Sequence, residues 1–389
     1  MATVIVGGAL ANKPLNGGEA WVRLSWVLGI RRLGFDVCFV EEIAPEHCVD
    51  EQGELADFEH SINRSFFERV TDEFGLAGSA CLVCGDDGRT AGLSYEDLLA
   101  RADAADLLVN ISGHITREEL LRAPKARLYV DLDPGFTQLW HASGTPGLRL
   151  AGHDHYVTVG ANIGTAACSL PMAGLEWRTT LPPVLLDEWD VSDAASDGTR
   201  FTTVATWRSP YGPVEFGGEL HGLKHHEFRK FLDLPRRLAR AEFELALDID
   251  PADAADLEAL RSHGWTIVDP RSAAPDPGSY RAYIRDSAAE FSVAQGIYVS
   301  TNSGWFSDRT ACYLASGKPA LVQETGFSRN LPVGSGLVSF STPQEAAAGA
   351  EAIEAQYEEH RHAARGLAER HFDSDLVLGR LLAELGVEA

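Results

Sequence analysis

The run Ser303-Gly304-Trp305-Phe306-Ser307-Asp308-Arg309-Thr310-Ala311-Cys312-Tyr313-Leu314-Ala315-Ser316-Gly317-Lys318-Pro319-Ala320-Leu321-Val322 joins a glycine loop, a helix and a strand in one short segment. Its helix has Ser307 or Asp308 as N-cap and stops at Gly317, and Pro319 opens the apolar strand that follows. Unpaired N–H groups and the positive end of the helix dipole favour a phosphate at such a helix start. Gly304 allows the backbone to come close, and the Ser303 and Ser307 hydroxyls can donate to phosphate oxygens. Periodicity alone favours an ordinary capped helix in a strand–helix–strand unit.

On either side of this segment, short apolar strands alternate with helix-length periodic stretches. Strands are expected at 4–6, 36–40, 106–111, 127–132 and 156–159, then at 201–205, 243–246, 266–268, 291–293, 320–322 and 336–340. Helices are expected at 19–33, 61–73, 93–102, 224–232, 251–263, 308–316, 343–369 and 373–385. Two βα series in 389 residues exceed one hydrophobic core. They predict an α/β chain of two Rossmann-like, doubly wound domains facing a cleft, with ligands at the C-terminal ends of the strands. The small, polar stretch at 190–198 divides them: an N-terminal domain over 1–190, a linker over 191–198 and a second domain over 199–370. A C-terminal helix over 371–389 can pack back on the first domain.

No apolar run reaches transmembrane length, so no integral membrane segment is expected. Met1-Ala2-Thr3-Val4-Ile5-Val6-Gly7-Gly8 reads as a buried strand entering a glycine loop, not a signal peptide, and a cytoplasmic location follows. A formal net charge of −24 argues against a nucleic-acid partner, which would need a clustered basic face. Of six cysteines, Cys81 and Cys84 form a lone C-x-x-C without a second pair or histidines at zinc spacing. Reduced thiols and no metal site are expected; His141, His153 and His155 fit no metal motif either. The chain also lacks a dinucleotide fingerprint, a P-loop and a nucleophile elbow.

The segment 303–326, with its Ala315-Ser316-Gly317-Lys318-Pro319 turn and Thr325-Gly326, resembles the nucleotide-sugar segment of GT-B fold glycosyltransferases. That resemblance implies a transferase moving a sugar from a nucleoside-diphosphate sugar, such as a UDP or dTDP sugar, to a hydroxyl or amine of a small acceptor of specialised metabolism. It implies no further cofactor and no metal. It places the donor against Ser303, Gly304, Trp305, Phe306, Ser307, Asp308 and Arg309, with Asp269 in a strand-and-loop segment beside the nucleobase. Gly17 and Gly18 match the superfamily's Gly-Gly turn before the first long helix. Retaining members carry two glutamates eight residues apart in this segment; here those positions are Gly304 and Cys312, so the stereochemical course stays open.

The same resemblance gives Arg208 and Lys224, in Thr206-Trp207-Arg208 and Gly222-Leu223-Lys224, the task of neutralising the departing diphosphate. An inverting enzyme needs a base for the acceptor proton, and His114 and Asp133, both after predicted strands, suit it. Each of these residues taken singly also fits a structural role. Two alternatives share the architecture: a nucleotide-sugar epimerase or hydrolase, and a catalytically degenerate nucleotide-binding partner protein. A monomer or homodimer is expected.

Overall fold

The structure, a computed structural model, describes residues 2–191 and 198–389, so 192–197 of the expected linker lie outside the described residues. The first sheet contains β1 (Thr3–Gly7), β2 (Asp36–Ile43), β3 (Ala80–Cys84), β4 (Arg89–Gly92), β5 (Leu107–Ile111), β6 (Ala126–Asp131), β7 (His155–Thr158) and β8 (Trp177–Thr179). Their order is 4-3-2-1-5-6-7-8, parallel throughout except for the β3–β4 pair at one edge. Val4, Ile5 and Val6 are buried, as is all of Leu107–Ile111, because helices cover both faces of a parallel sheet.

After β9 (Arg200–Thr206), a hairpin of β10 (Val214–Phe216) and β11 (Glu219–His221) precedes β12 (Glu242–Asp248), β13 (Thr266–Val268), β14 (Ala289–Ser292), β15 (Ala320–Gln323) and β16 (Leu337–Phe340). The second sheet runs 13-12-9-14-15-16, all parallel. Strand order reverses between β1 and β5 in one sheet and between β9 and β14 in the other. The crevices at these two switch points are where doubly wound folds bind ligands.

The C-x-x-C lies within β3, where residues three apart point to opposite faces. Burial pushes the Cys81 and Cys84 thiols up to about 12, so the pair is core rather than a redox centre. The expected helix at 343–369 breaks at Gln356 (φ −128°, ψ 40°) into Pro343–Ala355 and Tyr357–His371. The second piece turns to lie against Gly336, where a Cβ would come within 2.4 Å of Ala364 N. The sequence reading missed Phe136–Ala142 and Pro277–Arg285, both of which face the interface between the sheets. No helix among the described residues is long and apolar enough to cross a membrane.

The two halves are joined tightly. Helix Gly17–Arg32 meets Pro277–Arg285, with Trp21 Nε1 donating to the Pro277 carbonyl (3.0 Å). It also meets Ser374–Glu384, which sits so close that a Cβ on Gly29 would fall 2.5 Å from Leu378 Cδ1. Asn162 clasps the other side. Its N–H donates to the Ser303 carbonyl, and its amide donates to the carbonyls of Asn302 and Gly326, each at 3.0 Å. Its Oδ1 accepts from Asn330 at 2.8 Å, and Gly160 pairs with Trp305 as an antiparallel bridge. Asn162→Ala takes a donor from two carbonyls of this buried seam, with Gly326 keeping its longer bond from the Arg329 N–H (3.3 Å), so urea denaturation is expected to show a loss of about 1–3 kcal/mol. A loss below about 0.5 kcal/mol would mean that water takes over those carbonyls at no cost.

Candidate active site

At the second switch point the helix Asp308–Ala315 begins, with Ser307 as its N-cap and no side-chain capping bond to close its first N–H groups. Arg309 ties the ends of β9 and β14 together: Nε to Glu290 Oε1 (2.7 Å), Nη1 to the Val204 carbonyl (2.9 Å) and Nη2 to Ser292 Oγ (2.8 Å). Burial works against its charge, but the fully buried Glu290 carboxylate overrides this and holds Arg309 above its ordinary value. A buried carboxylate left alone would be costly, so the pair is held together by its own desolvation.

Lys224 opens the short helix Lys224–Phe228, fixed there by its N–H to Gln295 Oε1 (2.6 Å). Burial and then Arg309 press its amine down to about 8, against the pull of Asp308 and Asp133. Asp308 is pushed up to about 6 by burial, with Arg309 opposing. From the first domain comes Asp133, also pushed up to about 6 by burial although Tyr298 Oη donates to its Oδ1 at 2.8 Å. Asp133 lies deep between the domains yet presents an open face to the cleft. Its neighbour Asp131 is different: it accepts from Thr137, Gln138, Thr158 and the Asp133 N–H, and so sets the loop that carries Asp133.

The structure therefore brings Asp133, Lys224, Asp308 and Arg309 together. His114 stands on the first-domain side, where burial and the charges of Arg23 and Arg149 depress its imidazole to about 3. It stays neutral at physiological pH and is a poor proton acceptor there. Arg208, half exposed, makes a two-pronged pair with Asp253 (2.6 and 2.5 Å), and its neighbour Trp207 packs on His225 beside Lys224 (6.4 Å). Asp269 is an exposed cap that accepts from the Arg271 N–H at 2.9 Å, beyond the end of β13.

The glycines and Ser303–Phe306 admit protein where the sequence suggested ligand. Gly17 donates to the Ala274 carbonyl (3.0 Å), and a Cβ on it would fall 2.2 Å from the Asp276 carbonyl oxygen. Gly18 faces the Tyr280 ring, 3.0 Å from where its Cβ would stand. Gly304 (φ +74°) donates to Thr325 and leaves room for the Asn162 backbone, 2.7 Å from its would-be Cβ. Ser303 Oγ accepts from the Trp305 N–H, the Trp305 ring packs on Tyr298 (4.6 Å) and Phe306 stacks on Phe372 (4.9 Å). Of the proposed donor residues in the quoted run, Trp305, Asp308 and Arg309 keep partial exposure, whereas Ser303, Gly304, Phe306 and Ser307 are buried.

Sequence reasoning missed Glu19, Arg23, Tyr298 and Tyr211. Glu19 and Arg23 are an ion pair one turn apart on a helix otherwise rich in Trp, Leu and Val, and that exception was the available signal. Burial opposes the Glu19 charge, but Arg23 and Lys13 outweigh it and hold its carboxyl below the usual range. Tyr211, from the loop before β10, reaches across to Trp140 (4.7 Å) and Phe136 (5.7 Å) and roofs the cleft. Among the described residues, no three His, Cys, Asp or Glu side chains gather as a metal site.

No family model matches the chain, and no curated protein matches it by sequence. Solved structures do. An α-glucosyltransferase (AGT) in complex with UDP superposes with a TM-score of 0.60 at 11% identity, over 99% of this chain and 100% of its own. HepE of Anabaena, in complex with UDP and glucose, gives 0.58 at 10% identity over 99% and 100%. The chain has the GT-B glycosyltransferase fold, with two Rossmann-like domains. The α-glucosyltransferase is also known with UDP and a 13-mer DNA containing a HMU base, matching at 0.60 and 12% over 99% of both chains. That complex corrects the exclusion of nucleic acid drawn from net charge. Charge summed over a whole surface does not describe the local field in a cleft, which is where contact is made.

Proposed function

We propose that this chain moves a glycosyl group from a nucleoside-diphosphate sugar, a UDP sugar first of all, to a hydroxyl or amine of a small acceptor. The observation that carries the proposal is the meeting of Lys224, Asp308 and Arg309 with Asp133 across the cleft, at the strand ends of a fold shared with UDP-bound structures. The donor diphosphate lies against Lys224 and the open N-terminus of helix Asp308–Ala315, with Arg309 anchoring that helix to the sheet. Asp308 accepts a hydroxyl of the sugar. The acceptor oxygen or nitrogen attacks the anomeric carbon, its proton passes to Asp133, and the bond to the diphosphate breaks. The charge left on the nucleotide is met by the Lys224 ammonium and the helix dipole. Asp133 is preferred to His114 as base because a group near 6 accepts a proton far better than one near 3. This assignment makes the reaction inverting.

A thermal-shift panel of UDP, dTDP and GDP tests the donor side. At a hundredfold excess over Kd, the bound nucleotide is expected to add about 2.7 kcal/mol of stability. If none of the three moves the transition at about millimolar concentration, the donor site is wrong. Proton NMR of the product tests the other half: retained anomeric configuration would remove Asp133 as the base.

A further inference from the structure

The diphosphate of the proposed donor is matched by cations of the second domain, yet a separate cationic group lies at the switch point of the first. Helix Gly17–Arg32 leaves β1 there and carries Arg23, 6% exposed, whose stem passes so close to Gly8 that a Cβ would fall 2.9 Å from its Cγ. Nη1 of Arg23 is taken by Glu19, but Nε is buried without a partner and Nη2 makes no hydrogen bond among the described residues. The loop after β5 brings His114, and Arg149 reaches that loop through Nη1 to the Gly113 carbonyl (3.3 Å). Lys13 stands on the loop after β1. Neither Lys13 nor Arg149 has a carboxylate within 4 Å among the described residues. Arg23, Arg149 and Lys13 all act on the His114 imidazole, with Glu19 the only opposing charge among its principal neighbours. In a chain of net charge −24, three cations gathered on one crevice with unused donors form a local exception. Arg23 and Glu19 also act on Asp133 and Asp308, so this group borders the donor side of the same cleft from the first domain.

We infer that the acceptor carries an anionic group, a phosphate or a carboxylate, and that Lys13, Arg23 and Arg149 bind it at the β1–β5 switch point with His114 as a hydrogen-bonding partner. This rests on the glycosyltransferase proposal, since it assigns the first-domain side of the same cleft to the acceptor. A guanidinium pair with an ammonium matches one phosphate or carboxylate, by charge-assisted and two-pronged hydrogen bonds.

The test is calorimetric titration of the full chain saturated with UDP, using glucose 6-phosphate, glucuronate and glucose as probes. Lys13→Gln/Arg149→Gln serves as the variant, because both side chains are exposed and their loss leaves the core intact. At least one anionic sugar is expected to bind about 10-fold or more tighter than glucose and to lose about 10–100-fold in the variant, while UDP affinity stays within about twofold. Which of the two binds tells phosphate from carboxylate. Anionic sugars that bind no better than glucose, or equally well to the variant, overturn the inference. So does a short DNA duplex whose binding is lost in the variant when that of the sugars is not, for the cations would then serve a nucleic-acid backbone. A protein that binds no UDP overturns the donor proposal and this one together; one that binds UDP but no anion overturns this one alone.

Discussion

Asp133→Asn is expected to lower turnover by about 10²–10⁴-fold while leaving UDP affinity within about twofold. The amide keeps the shape of the side chain and can still meet the Tyr298 hydroxyl that lies 2.8 Å from Oδ1, but it cannot take a proton. The acidic limb of the rate profile carries the same information. Asp133 acts as a base only when ionised, so activity should rise as pH increases through about 6. Asp308 titrates in the same range, and Asp308→Asn separates the two: if Asp133 sets the limb, that variant keeps it. Full turnover in Asp133→Asn, with a product of unchanged configuration, would show that no base is needed at this position.

Lys224→Gln is expected to cost about 10²–10³-fold in kcat/KM, through the leaving group, as loss of one donor to a developing oxyanion does. The ammonium acts only when charged. Its value of about 8 therefore sets a limb on which activity falls as pH rises through that point. Lys224→Arg keeps the charge far above that range and should move the alkaline limb out of reach while restoring part of the rate. An unmoved limb in Lys224→Arg would assign it to another group. Together the two residues predict a bell whose sides belong to different domains, so domain contact and pH optimum are linked.

Much of the scaffold was legible from residue order. Val4–Val6, Leu107–Val109 and Ala320–Val322 are short continuous apolar runs, as strands buried on both faces are. β3 and β4 were not legible because Ala80–Cys84 is only five residues long and Arg89–Gly92 is a short polar edge strand fixed only by its antiparallel partner. Helix Pro277–Arg285 was missed because its apolar residues face another domain, and nothing local marks a partner so far away in sequence.

Of the candidate site, Asp133 was singled out as a polar residue just after an apolar strand, Asp308 and Arg309 by the glycine loop and helix start, and Lys224 by the resemblance alone. Glu19, Arg23 and Tyr298 were not, since they belong to helices and join the site only across the cleft.

By itself the sequence determined two βα series and the start and stop of helix Asp308–Ala315, because periodicity and turn chemistry are local. Only the tertiary structure decided which residues of the quoted run meet the cleft. It turned Ser303 and Gly304 into a seam held by Asn162 and left Asp308 and Arg309 partly exposed. It also gave Arg208 a carboxylate partner in Asp253 while leaving Lys224 without one within 4 Å among the described residues, because the nearest carboxylate depends on the fold.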